Sequence, residues 1–319
     1  MWYWTKILFL VFIGAMGVWL AYEFFTFPDI SKLRTENPQT TSMIEYKISN
    51  FPERKKYLVS EIERLRTQIQ SLESELNNIQ SSNARKRSSQ EENNQIKDIL
   101  LKISAARKEL NLNQIEVEDM GDQPKKNQIW MPLEQISPHL QRAVIAGEDS
   151  HFFTHDGFDW NAIQKAWEEA QRQAEEEAKK EGTYDPDAWI PPMPQFKRGA
   201  STITQQLVKN LYLSEERSFI RKGREAIITY FLERELSKRR ILEIYLNVIE
   251  WGNGIYGAEA AASTYFKKSA SDLTAQEAAY LSAMIPSPLR IFNPRANSKR
   301  VASRQRVILR GMNHVKLAY

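Results

Sequence analysis

Residues 199–210, GASTITQQLVKN, are the stretch that decides the fold. Apolar side chains recur at helical spacing, so Leu207, Val208 and Leu211 are predicted to form the packing face of an amphipathic helix. An ordinary surface helix is the alternative, but it has no need of two adjacent glutamines beside several hydroxyls and amides. The segment is suited to hold sugar hydroxyls and a diphosphate through its polar residues Ser201, Thr202, Thr204, Gln205, Gln206, Lys209 and Asn210.

Upstream of this segment, residues 148–160 read EDSHFFTHDGFDW and place two carboxylates after an apolar helix. Glu148 and Asp149 precede a pair of phenylalanines, and a carboxylate partly shielded by aromatic rings favours general acid–base chemistry. A surface carboxylate at a helix end is the alternative. His151 and His155 have the spacing of a metal site, but the chain around them breaks helices, which favours structural or hydrogen-bonding histidines.

Downstream, residues 217–226 read RSFIRKGREA and repeat arginine every three to four positions. Arg217, Arg221 and Arg224 would share one helical face, with Glu225 beside them. From residue 198 to residue 240 the chain carries ten Lys or Arg against five Glu. This local excess indicates an anionic ligand or an anionic membrane surface, although a solvated charged face is the alternative.

These blocks, taken in order, resemble the glycosyltransferase family 51 peptidoglycan glycosyltransferases. The resemblance covers residues 128–315 and includes ILEIYLN at 241–247 and EWGNGIYGAEAAASTYFKKSASDLTAQEAAYLSAMIPSPLRIFNP at 250–294. It implies a mainly α, lysozyme-like glycosyltransferase domain with a membrane-proximal jaw subdomain. It also implies a monofunctional enzyme without a transpeptidase domain. The motif positions that support the resemblance upstream are Asp149, Phe152, His155 and Gly157.

The resemblance also implies roles for the site residues. Glu148 matches the catalytic base, and Glu225 matches a second catalytic glutamate near the donor diphosphate. The substrates would be lipid II and the growing glycan strand, with no cofactor, although a divalent cation (Mg²⁺ or Mn²⁺) would be able to assist the diphosphate. The diphosphate and sugars would be bound by Ser201, Gln205, Gln206, Lys209, Asn210, Arg217, Arg221 and Arg224.

Two rival interpretations come from different classes of function. A lytic enzyme of the same fold shares one glutamate but requires neither the arginine face nor the QQLVK segment. An inactive scaffold is disfavoured because every motif position is filled. The net charge of +4 gives no reason to expect a nucleic-acid partner, and the absence of cysteine excludes disulfides.

The N-terminus predicts a membrane anchor over residues 1–27. Residues 7–22 carry no charge, and aromatic residues flank them on both sides. Lys6 favours a cytoplasmic N-terminus, so the catalytic domain would lie on the periplasmic side of the bacterial inner membrane in a single-pass topology. A cleaved signal peptide is the alternative, with a small-residue site near Ala15 and Gly17.

Residues 28–52 are predicted to be a proline-containing linker, and residues 53–118 to be a coiled-coil helical hairpin. Two seams with heptad spacing carry the hairpin prediction, with a polar link between them, and one long intermolecular coiled coil is the alternative. The hairpin would be either a spacer or a docking arm for cell-wall synthesis proteins. The glycosyltransferase domain would follow at 119–319. The seam residues are Leu58, Ile62, Leu65, Ile69, Leu72, Leu76 and Ile79, then Ile96, Ile99, Ile103, Ala106 and Leu110.

Overall fold

The computed structural model describes residues 14, 17, 26–83, 90–185, 201–213 and 218–319, and over these ranges the chain is mainly helical. The predicted mainly α class is therefore confirmed. Three short strands are β1 (Asn127–Gln128), β2 (Glu250–Gly252) and β3 (Ile255–Tyr256). The helices are α1 (Ser42–Ser49), α2 (Phe51–Asn83), α3 (Gln90–Met120), α4 (Pro138–Glu148), α5 (Trp160–Glu181), α6 (Ile203–Tyr212), α7 (Phe219–Glu235), α8 (Lys238–Val248), α9 (Ala258–Phe266), α10 (Ala275–Met284) and α11 (Ser298–Met312).

The chain divides into two compact units. The first contains the described residues up to Met43, together with Glu148–Tyr245 and Ala318–Tyr319. Within it, α6 packs against α7. The predicted packing face of α6 is confirmed, because Leu207, Val208 and Leu211 are all buried.

The second unit contains Ile44–Gly147 and Leu246–Leu317. Its sheet has the order β1-β3-β2, with β1 parallel and β2 antiparallel to β3. Asn247 fixes the chain beside this sheet, since its Oδ1 accepts from the N–H of Met131 at 2.7 Å and its Nδ2 donates to the Met131 carbonyl at 2.8 Å. Both polar ends of a buried amide are thus satisfied.

Helices α2 and α3 are 33 and 31 residues long and pack against each other in antiparallel order. Leu65 and Ile69 of α2 form a buried cluster with Ala106 of α3, and Phe51 and Leu58 form another with Met120. These contacts pair early residues of α2 with late residues of α3, as a hairpin requires. The link at 84–89 lies outside the described residues, and the coiled-coil assignment stays a prediction.

The end of α3 is tied to the loop before α11 by ion pairs. Glu116 is buried and accepts from Arg54 of α2 at 2.7 Å and from Arg290 at 3.1 Å. Arg290 also pairs with Glu109. Arg295 donates to Glu118 and Asp119 at 2.6 Å each. Because α3 is one helix up to Met120, it runs without a break across the domain boundary predicted between residues 118 and 119.

Helix ends follow the signals in the sequence. Pro138 is the first residue of α4, and Gly182 ends α5 in the left-handed conformation, with φ 71°. Thr274 and Glu277 form a capping box at the start of α10, which ends before Pro286. Ser218 caps the start of α7 by accepting from the N–H of Arg221.

The segment predicted to be a linker contains helical structure. Residues 30–34 form a 3₁₀ helix, and α1 covers Ser42–Ser49. Ile30, Leu33 and Ile44 are buried, which explains the difference, because apolar burial outweighed the proline signal. Within the described ranges, no helix combines the length and the apolar character needed to cross a membrane. The predicted anchor over residues 1–27 lies outside those ranges apart from residues 14, 17, 26 and 27.

Candidate active site

Glu148 is the last residue of α4, and its carboxylate meets the predicted sugar-binding helix. The Nε2 of Gln206, on α6, donates to Glu148 Oε2 at 3.0 Å. The Oε1 of the same amide accepts from the hydroxyl of Tyr245, on α8, at 2.8 Å. Three helices thus contribute one side chain each to a series of hydrogen bonds that includes Glu148.

Asp149 follows Glu148, and its carboxylate accepts a hydrogen bond from the first turn of α6. Its carboxylate is buried, with Oδ2 accepting from the backbone N–H of Ile203 at 3.0 Å and Oδ1 lying 2.9 Å from Nε2 of His155. A carboxylate at the first turn of a helix is stabilised by the unpaired N–H groups and the helix dipole. Asp149 therefore fixes where α6 begins relative to Glu148.

The ring of His155 has a defined tautomer. Its Nδ1 accepts from the backbone N–H of Gly157 at 3.1 Å, so the ring proton is on Nε2 and points at Asp149. Gly157 has φ +89°, and its carbonyl accepts from the Thr202 hydroxyl at 2.7 Å. The predicted support positions therefore form one buried network around the start of α6. Phe152 is buried beside them, with Lys238 Nζ 4.7 Å from the centre of its ring.

The polar residues predicted to bind sugars on α6 divide by exposure. Lys209 is exposed, whereas Gln205 and Asn210 are buried. Gln205 closes a capping box with Thr202, its Oε1 accepting from the Thr202 N–H at 3.0 Å. Asn210 donates to the backbone carbonyl of Gln206 at 2.8 Å. The carbonyl end of Gln205 therefore serves the helix start, and any contact with sugar would use its Nε2.

Glu225 is buried on α7 between two cations of the same helix. Arg221 donates to Glu225 Oε2 at 2.9 Å, and Lys222 pairs with the other oxygen. The Nε of Arg221 is buried without a hydrogen-bond partner among the described residues. A guanidinium N–H left without an acceptor is the arrangement that an anionic ligand would complete.

Of the other two arginines of the predicted face, the structure describes Arg224 but not Arg217. Arg224 donates to the hydroxyl of Thr26 at 3.0 Å and to its carbonyl at 2.8 Å. Its guanidinium therefore holds the chain at the end of the predicted anchor. Arg217 lies outside the described residues, and its role stays a prediction.

His151 and His155 each make a hydrogen bond to a carboxylate within the protein. His151 Nδ1 lies 2.7 Å from Asp159, the residue that caps α5. Burial acts to raise the pKa of Asp159, but the Ala162 N–H and the His151 ring lower it below its ordinary value. The described part of the chain contains no group of three or more acidic or histidine side chains that could hold a metal ion.

Tyr245 and Glu233 are site residues that the sequence prediction omitted. Tyr245 lies in the ILEIYLN motif, but its partner is 39 positions away, so no local pattern announces the contact. Glu233 pairs with Lys238 at 2.8 Å and accepts from the Thr204 hydroxyl. The Thr202–Gln205 capping box, in contrast, was readable from its spacing.

Comparison with known proteins identifies the family of the chain. The family described as Transglycosylase matches residues 113–183 and 191–313, more than half of the chain. The biosynthetic peptidoglycan transglycosylase of Paraburkholderia xenovorans is 47% identical over 188 residues, covering 59% of this chain and 70% of the relative. That of Bordetella pertussis is 46% identical over 188 residues, covering 59% and 71%. That of Herminiimonas arsenicoxydans is 43% identical over 201 residues, covering 63% and 78%. The chain therefore belongs to the transglycosylase family.

Proposed function

We propose that this chain is a peptidoglycan glycosyltransferase that polymerises lipid II into β-1,4-linked glycan strands, with inversion and release of polyprenyl diphosphate. Family membership supports the reaction class. One observation carries the assignment of the site: Gln206, from the segment predicted to bind sugars, donates to Glu148, the predicted base, at 3.0 Å. This hydrogen bond supports placing the proposed base beside the proposed sugar-binding helix.

The proposed step transfers the growing strand to the acceptor lipid II. The acceptor 4-hydroxyl oxygen attacks the anomeric carbon of the strand, and Glu148 takes the hydroxyl proton. The bond from the anomeric carbon to the diphosphate oxygen breaks, and the polyprenyl diphosphate leaves with the electron pair. Attack from the face opposite an α-linked diphosphate gives the β-linkage, which is the geometry of an inverting reaction.

The leaving diphosphate gains negative charge as this bond breaks, and α7 offers cations to it. Arg221 and Lys222 are both paired with Glu225 in the described chain, so one carboxylate compensates part of their positive charge before substrate binds. The unpartnered Nε of Arg221 and the exposed Lys209 would then bind the diphosphate by charge-assisted hydrogen bonds. Glu225 would position these cations.

The cellular setting follows from the same proposal. Lipid II cannot leave the bilayer, so an anchor over residues 1–27 would confine enzyme and substrate to one surface, at the periplasmic face of the inner membrane. The lysozyme-like domain with its jaw, the divalent cation on the diphosphate and docking of cell-wall synthesis proteins on α2 and α3 stay predictions.

Glu148→Gln tests the proposal. The substituted amide retains an oxygen that accepts from Gln206 but cannot take a proton, so we expect an intact fold and no polymer. The full-length protein in detergent is incubated with lipid II, and the products are resolved on a gel. Glu168→Gln is the matched control, because Glu168 lies exposed on α5 and accepts a hydrogen bond from a side chain of its own helix. A glycan ladder from Glu148→Gln would refute the base assignment.

A further inference from the structure

We infer that Tyr245 is a positioning residue whose hydroxyl sets the orientation of the Gln206 amide, and through it the orientation of the Glu148 carboxylate. The inference rests on the proposed function, because it matters for catalysis only where Glu148 is the base. It concerns a residue of α8 that lies behind the amide and touches no substrate in the proposed reaction.

The polar atoms of the Gln206 amide are all accounted for. The Oε1 accepts from the Tyr245 hydroxyl at 2.8 Å. The Nε2 donates to Glu148 Oε2 at 3.0 Å and has the Ser201 carbonyl at 3.5 Å. The nitrogen therefore faces two acceptors, and the oxygen faces a hydroxyl, which matches the capacities of a primary amide.

An amide rotated by 180° would make much less favourable contacts. It would bring Oε1 against a carboxylate oxygen and a carbonyl oxygen, so two lone-pair repulsions would replace two hydrogen bonds at Glu148 and Ser201. A hydroxyl placed at the far side favours the productive orientation, because it donates to Oε1 there. Without that donor, Oε1 loses a partner inside the protein, and rotation of the amide becomes less costly.

Tyr245 is suited to this task because its ring is packed in the core. Its side chain is fully buried, and its neighbours Ile244 and Leu246 on α8 are fully buried as well. The backbone of Gln206 is held from the other side by Asn210, which donates to its carbonyl. The amide is therefore the one movable group between a fixed hydroxyl and the carboxylate, so a fixed hydroxyl decides its rotation.

A base must present its lone pair to the acceptor hydroxyl within a narrow range of distance and angle. The Gln206 bond occupies one oxygen, Oε2, and so turns the carboxylate to a defined angle. When Tyr245 loses its hydroxyl, the Gln206 amide is held less firmly. The Glu148 carboxylate is still present, but it adopts a wider range of orientations. The chemical step slows, whereas the groups that bind the diphosphate on α7 are unchanged.

Tyr245→Phe keeps the ring in the core and removes only the hydroxyl. We expect kcat for lipid II polymerisation to fall about tenfold, equivalent to about 1.4 kcal/mol, with KM changed less than about twofold. Tyr265→Phe is the matched control, because the Tyr265 hydroxyl also makes a 2.8 Å bond from the interior, to the Trp251 carbonyl. It should lower thermal stability comparably and leave kcat unchanged.

Gln206→Leu removes the amide and keeps a side chain of similar size. We expect it to lower kcat at least as much as Tyr245→Phe, and the double variant to be no slower than Gln206→Leu alone. If the two effects multiply, or if Gln206→Leu or Tyr245→Phe retains the wild-type kcat, the positioning role is overturned while the proposed function stands. A wild-type protein that forms no polymer overturns the proposed function, and this inference with it.

Discussion

Gly157→Ala is expected to destabilise the chain strongly, because two separate penalties meet at this residue. Gly157 has φ +89°, a backbone conformation that residues with a Cβ rarely adopt, which costs about 1–2 kcal/mol. An added Cβ would also lie 2.8 Å from Thr229 Cγ2 and 3.0 Å from Glu233 Cγ. Thr229 is buried within α7, and Glu233 is held by its ion pair with Lys238, so neither retreats cheaply. Such overpacking adds about 1–3 kcal/mol.

We therefore expect a loss of about 2–5 kcal/mol in the free energy of unfolding, measured by urea denaturation. Gly182→Ala is the matched control. Gly182 also has positive φ, at +71°, but nothing lies within 4 Å of an added Cβ, so only the backbone penalty applies. Equal losses at the two positions would show that the contact with α7 contributes nothing, and would refute this reasoning.

Two further predictions concern carboxylates with defined partners. Asp149→Asn places an amide donor or a weaker acceptor against His155 and the N–H of Ile203, and should cost about 2–3 kcal/mol in urea unfolding and slow polymerisation. Unchanged unfolding would mean that the start of α6 does not depend on this carboxylate. The Lys268 ammonium and the Thr274 N–H lower the pKa of Glu277 to about 2, below its usual 4.5, so ionised Glu277 stabilises the fold above pH 4.5 and this contribution is lost as pH falls towards 2. The stability difference between wild type and Glu277→Gln, followed by urea midpoints, should therefore shrink over that range, and a constant difference would contradict the assignment.

Local signals in the sequence predicted local structure well. The proline at 138, the glycine at 182 and the capping box at 274–277 each mark a helix end in the structure, because each acts on backbone groups within a few residues. The helical periodicity at 199–210 likewise predicted which side chains are buried. The helical structure within residues 28–52 was not predicted, because prolines indicate where a helix is difficult, whereas burial of Ile30 and Ile44 depends on distant segments.

In the candidate site, too, local features were predictable and contacts between distant residues were not. The segments that carry Glu148, Gln206 and Glu225 were identifiable from residue types and spacing. The partner of each side chain was not, because the bonds from Tyr245 to Gln206 and from Arg224 to Thr26 join residues 39 and 198 positions apart. The spacing of Arg224 predicted an anion ligand, which stays a prediction, and its described bonds hold the chain near the predicted anchor.

Helix α3 gives the second unit a mechanical property. It is a single 31-residue helix, about 46 Å long at about 1.5 Å per residue, and its last third is gripped by Arg290 and Arg295. The family match starts at residue 113, so the same helix begins outside the matched region and ends inside it. A continuous helix does not hinge without a break in its backbone hydrogen bonds. A force on the N-terminal end of α3 is therefore transmitted along the whole helix. It reaches the loop that contains Arg290 and Arg295 through the ion pairs at residues 109–119.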